Sequence, residues 1–362
     1  MSANAPSHAP KRQPALDLLR CLAIAGVVVM HCASPLTASP DPSAVWAGVL
    51  YSSLSLFCVP VMLMISGALL LGNPKPIDLK AFYGRRCMKI LVPLLGWSLV
   101  YYLLVCLQTG TTPHVISFFK RFFTGMWSGP LWFLYMILGV YLMTPFMAQA
   151  FGRGREALAW TFTAIVFAVP ALNFATRLIW EMELNRFLTG AVIPYYFGYF
   201  VLGNLLNEHP PRVPGGRWTL AAAFAAGALP SAFGEFAAKG VNTMLPNTFF
   251  SYQQPLAVLM SGAIFLFFKD WSPRLEGRAA NVVREVSSLT YGIFLAHVLA
   301  LSLVTGQLAG PLAGLWPRAL TLDWNTGGPW IGPVLTGAAV FTLSALLVWG
   351  LRRVPVLGRI VP

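Results

Sequence analysis

Charge is scarce in this 362-residue chain. Asp, Glu, Lys and Arg make up 10% of it, and only 12 residues are acidic. Soluble domains carry roughly a quarter charged residues, so with 57% hydrophobic residues the composition excludes an ordinary soluble domain. It specifies an all-α, polytopic membrane protein. Cysteine is sparse as well. Cys21, Cys32, Cys58, Cys87 and Cys106 lie in or beside apolar segments with no CxxC and no pairing pattern, which argues against a disulfide framework and against a metal site. There is no glycine-rich phosphate loop, no internal repeat and no low-complexity tract, and no attached soluble domain is expected at either end. The N-terminus sets two basic residues before an apolar run, as a secretory signal does. That run contains Arg20 and lacks a small-x-small cleavage site, so a retained first helix is expected.

What is present is a succession of apolar runs. At about 20 residues per span, helices are expected near 15–34, 48–71, 90–109, 130–149, 158–176, 189–206, 218–236, 251–268, 288–307 and 331–350. This makes a bundle of about ten transmembrane helices with both termini cytoplasmic: a tail over 1–14, a membrane domain over 15–350 and a second tail over 351–362. The formal charge of +13 would suit nucleic acid, but its distribution points to topology instead. With the N-terminus inside, Lys120, Arg121, Arg177, Arg186, Lys239 and Arg318 fall outside, and the other 19 of the 25 basic residues fall inside, as the positive-inside rule requires. No nucleic acid partner is expected; membrane lipids are. The segment HVISFFKRFFTGMW reads as an interfacial amphipathic helix. NPKPIDLKAFYGRRCMK reads as a strongly basic inner loop, and 269–287 as a loop with room for a short helix on the inner surface.

The first span, ALDLLRCLAIAGVVVMHCAS, carries Asp17, Arg20 and His31. At ~100° per residue, the eleven-residue step from Arg20 to His31 returns to within about 20° of the same face, over a rise of roughly 16 Å. Positions 17, 20, 24, 27 and 31 form one stripe. Ionisable groups at such depth are costly unless they face the interior of a bundle, so this helix is expected to line a functional cavity.

Beyond that spacing, the chain carries LDLLR, VPVMLMISGALLL, FYGRRCMKILVPLLGWSLVYY, LWFLYMILGVYLMTPF and SLTYGIFLAHVL in this order. With Arg20-x10-His31, these blocks resemble the acyltransferase 3 family over essentially the full chain. The resemblance implies an integral membrane acyltransferase that takes acyl groups, commonly acetyl, from cytoplasmic coenzyme A and modifies sugars or other acceptors at the membrane. One element departs: the family's basic Arg-x3-Arg appears here as Arg85-x3-Lys89, and lysine offers a point charge where arginine offers a planar fork.

On this reading His31 is the catalytic base, since a neutral imidazole can take the proton of an attacking hydroxyl; an acyl-histidine intermediate is the second mechanism, and a histidine held by a core hydrogen bond is the bland reading. Arg20 is assigned with it to the catalytic stripe, too far from His31 to touch it but placed to contact donor phosphates or the pantetheine arm, with lipid snorkelling or pairing to Asp17 as the competing account. Asp17 is read as structural support that orients Arg20. Arg85, Arg86 and Lys89 are expected to meet the phosphates of acetyl-CoA, the acyl donor, against plain topology as the alternative. His297, Trp132 and Tyr135 are candidate substrate-binding residues, each with a packing role as the rival. Glu235, with Glu181 and Glu183, is a candidate acceptor-binding group or partner for His31, but a solvated loop charge is the favoured reading; Gly67 with Ser66 is expected to permit close helix packing.

The expected function is O-acetylation of an exported or cell-surface polysaccharide, or its lipid-linked precursor, in the bacterial inner membrane. A sugar or glycolipid is the acceptor, and polysaccharide synthesis or export machinery is a candidate partner. The rival class is a secondary transporter or exporter, since buried charge in a helical bundle also marks substrate pathways.

Overall fold

The computed structural model describes residues 13–72, 77–152, 154–185, 188–189, 195–240, 248–271, 276–308 and 321–362. Among these residues the secondary structure is helical throughout, and nine helices are long and apolar enough to cross a membrane. The protein is an all-α polytopic membrane protein. In chain order the helices are α1 (Pro14–Ala33), α2 (Pro42–Leu54), α3 (Cys58–Leu70), α4 (Leu79–Arg86), α5 (Met88–Thr109), α6 (Val115–Thr124), α7 (Trp132–Ala150), α8 (Glu156–Trp180), α9 (Tyr196–Glu208), α10 (Arg217–Gly240), α11 (Pro255–Trp271), α12 (Gly277–Val304) and α13 (Gly332–Leu351). The span expected near 189–206 appears as α9, and much of the remainder of that range lies outside the described residues.

Three local expectations need correction. The span expected over 48–71 begins at Pro42, capped by Asp41, whose carboxylate accepts from Ser43 N at 3.0 Å. It is also interrupted at Ser55–Phe57 by bonds of three-residue step, Leu56 N to Ser53 O and Cys58 N to Ser55 O. Pro60 has no N–H to offer the Leu56 carbonyl, which weakens the helix there. The basic loop is in fact helical from residue 79, because Asp78 caps α4 by accepting from Ala81 N at 3.1 Å. The inner-surface helix expected within 269–287 is the first part of α12, which runs unbroken from Gly277 into the membrane. As expected, the segment after α5 is amphipathic. α6 buries Phe118 and Phe122, and its hydrophobic side continues into Tyr102 and Trp127.

Lipid provides no hydrophobic drive for helix association, so small residues that let backbones meet do much of the work. Gly67 on α3 and Gly203 on α9 are such residues. A Cβ on Gly67 would fall on the Phe200 carbonyl, and one on Gly203 would fall on the Met64 backbone. At the centre of the bundle α1 packs against α2, α3, α11, α12 and α13. Asp17, Ile24 and Val27 of its stripe are buried, while Arg20 and His31 are half-buried. The start of α1 and the segment after α13 lie at the same end of the molecule, since Asp17 meets Ser287 and Arg352 meets Ser288 on α12. All five cysteines are free.

Candidate active site

The central interface is α1 against α12. At its first end the Asp17 carboxylate, only 3% exposed, accepts from Arg20 Nη1 at 2.9 Å and from Ser287 Oγ at 2.8 Å. Asp17 therefore holds Arg20, as its position three residues away suggested, and also ties α1 to α12. Toward the other end, His31 in the last turn of α1 meets His297 of α12, with ring centroids 5.2 Å apart and planes inclined by 38°. Both contacts advance in the same direction along the two helices.

The environment of His297 fixes its tautomer. Nδ1 lies 2.5 Å from the Phe294 carbonyl, which can only accept, so Nδ1 carries the hydrogen. Nε2 is then a lone pair in the neutral ring. It is buried and without a hydrogen-bond partner among the described residues, where almost every buried polar atom has one. Tyr101 of α5 donates to the Leu295 carbonyl at 2.8 Å, and Phe133 of α7 packs on Phe294, so three helices hold this stretch of α12. His31 itself makes no side-chain hydrogen bond among the described residues. Nothing local to either residue points to contact between His31 and His297, because the two are separated by most of the chain.

The other site residues are distributed differently. Trp132 packs against Tyr196 and Tyr252, with centroids at 5.7 and 6.0 Å, forming an aromatic wall with Tyr195. Tyr135 uses its hydroxyl to donate to the Phe122 carbonyl at 2.7 Å, tying α7 to α6. Glu235 is not a solvated loop charge: it is 2% exposed on α10 and accepts from Phe249 N at 3.3 Å. The apolar run around it continues as helix to Gly240, which carries the carboxylate inside.

At the first end of the bundle a cavity of about 830 Å³ opens between α3, α4, α5 and the segment after α13. Its lining includes Arg85, Arg86 and Lys89, all exposed, together with Phe82, Asp78 and Arg359. The three sequence-predicted donor residues therefore share one basin, and it is large and basic enough for a phosphate-bearing nucleotide. The two regions are joined through α12: Tyr291 donates to the Lys89 carbonyl at 3.3 Å, and His297 lies six residues further on, about 9 Å of helical rise. Among the described residues no group of three or more His, Cys, Asp or Glu is placed to hold a metal ion.

The helical membrane bundle thus carries a basic basin at one end and, further in, a pair of histidines, His297 buried and His31 half-buried. The family profile of the acyltransferase domain Acyl_transf_3 matches residues 13–352, and the chain belongs to this family of membrane acyltransferases. No curated protein and no solved structure matches the chain.

Proposed function

We propose that the protein transfers an acetyl group from acetyl-CoA, held by the basic basin on the cytoplasmic side, to a hydroxyl of an exported or cell-surface polysaccharide or its lipid-linked precursor in a bacterial inner membrane. The observation that carries this reading is that α12 bears both His297, against His31, and Tyr291, against Lys89 at the start of α5.

Arg85, Arg86 and Lys89 hold the donor phosphates by charge-assisted contacts, and the flexible pantetheine arm carries the thioester inward toward the histidines. His31 removes the proton from the acceptor hydroxyl as its oxygen attacks the thioester carbonyl. The C–O bond forms, the C–S bond breaks, and the departing thiolate takes the proton back from the imidazolium, leaving CoA and the O-acetyl ester. His297, with its tautomer fixed by Phe294, offers its Nε2 lone pair as a hydrogen-bond acceptor beside His31. Arg20 and Asp17 set the position of α1 on α12 and so act on His31 through the helix. The aromatic wall of Trp132, Tyr196 and Tyr252 suits a sugar face.

The test is to titrate purified protein with acetyl-CoA and to assay acetylation of surface glycan. Arg85→Ala with Arg86→Ala should weaken acetyl-CoA binding by tenfold or more, on the order of two lost charge-assisted contacts. His31→Ala should keep donor binding and lose transfer. Unaltered glycan ester content in a strain lacking the gene, or substrate uptake into vesicles without any acyl-CoA, would overturn the reading in favour of a transporter.

A further inference from the structure

The chain beyond α13 does not trail away from the bundle. It folds back through a short turn at Leu357–Ile360, and its last residues are pinned from two helices. Trp97 of α5 donates its indole N–H to the Ile360 carbonyl at 3.0 Å. Arg352 donates from Nε to the Val361 carbonyl at 2.9 Å and from Nη2 to the Pro362 carbonyl at 2.8 Å, while Nη2 also reaches the Ser288 carbonyl of α12 at 2.6 Å. Val361 is fully buried. Gly96 leaves the space that Ile360 occupies, since a Cβ there would stand 2.6 Å from Ile360 Cγ2.

These contacts determine where Arg359 goes. It precedes the first pinned residue and lines the same basin as Arg85, Arg86 and Lys89. Its side chain is exposed and makes no hydrogen bond or ion pair among the described residues. Asp78, the one acidic side chain lining the basin among the described residues, already serves as the cap of α4. A topological role would explain the sign of Arg359, but not a cleared glycine and a set of backbone-directed bonds that hold its neighbours against α5.

We infer that Arg359 is a donor-binding residue, its guanidinium taking a phosphate of the acyl-CoA nucleotide in the basin it lines with α4. The inference rests on the reading of the basin as the acyl-donor site. Arginine suits the role because its planar fork meets phosphate bidentately, the geometry that Lys89 cannot supply. A lipid headgroup presents the same phosphoryl oxygens, so the test separates the two sources.

The full chain is reconstituted in nanodiscs of zwitterionic lipid, with and without added anionic lipid, and titrated with CoA and with 3′-dephospho-CoA. Arg359→Ala should bind CoA roughly tenfold more weakly than wild type, with Arg359→Lys in between and no dependence on anionic lipid. Gly96→Ala, which alters no charge but displaces Ile360, should weaken CoA binding in the same direction. Arg353→Ala removes an equal charge from an exposed arginine that lies over the Trp349 ring, outside the basin, and should leave CoA affinity unchanged. A defect confined to CoA assigns Arg359 to the 3′-phosphate, and an equal defect with dephospho-CoA assigns it to the diphosphate. Wild-type CoA affinity in Arg359→Ala, alongside a clear loss in the Arg85→Ala, Arg86→Ala variant, would overturn the inference and leave the donor site standing. So would a defect that appears only with anionic lipid, or an equal loss in Arg353→Ala. Failure of wild-type protein to bind CoA would overturn both.

Discussion

The two ends of the α1–α12 interface are built from similar materials and finished differently. At the Asp17 end the buried carboxylate is met by a guanidinium and by a hydroxyl from the facing helix. At the histidine end two rings meet, yet His297 Nε2 has no hydrogen-bond partner among the described residues. A satisfied polar cluster inside a bundle fixes the register of its helices. An unsatisfied one carries a standing cost of about 1–3 kcal/mol, which is explained when the free lone pair is used on a substrate. On the proposed function, the contrast separates a part of the interface that holds the fold from a part kept available for reaction.

Substitutions at the two ends should therefore fail in different measurements. The largest effect is expected from His31→Ala, with transfer falling at least about a hundredfold and the melting temperature in detergent nearly unchanged; transfer within a few-fold of wild type would remove His31 from the mechanism. His297→Ala should lower the turnover rate about tenfold or more while donor affinity holds. A proportional loss of thermal stability without a rate defect in the folded fraction would make His297 a packing residue instead. Asp17→Asn should show the reverse pattern, costing roughly 2 kcal/mol of stability, read as an earlier melting transition, with donor affinity in the surviving protein retained. Ser287→Ala should cost about 1 kcal/mol by the same measurement. If it slowed turnover more than it lowered stability, the division between the two ends would not hold.

Much of this arrangement was legible in the sequence. The apolar runs, the Arg20–His31 stripe and the amphipathic segment at 115–124 are local patterns, and helical periodicity is enough to read them. Gly67 was legible as a packing residue for the same reason. The contacts that the site depends on are not local. His31 with His297, Asp17 with Ser287 and Lys89 with Tyr291 join positions 200 or more residues apart, and single-sequence periodicity carries no information on which helices become neighbours. Glu235 was misread because a carboxylate near the end of an apolar run looks solvated until a neighbouring segment supplies the Phe249 amide. Arg359 was hidden by its company, since one positive charge among the nineteen expected on the inner side carries no distinguishing pattern.

The glycine contact between α3 and α9 has a consequence for motion. Where backbone lies on backbone with no side chain between, neither helix can slide or roll without steric collision, so the pair moves as a single rigid piece. α3 contributes Leu69 and Leu70 to the rim of the basin, which makes that rim a fixed abutment. On the proposed function, entry and exit of a bulky donor are then accommodated by α4 and the folded-back tail, which are held by individual hydrogen bonds that can open one at a time.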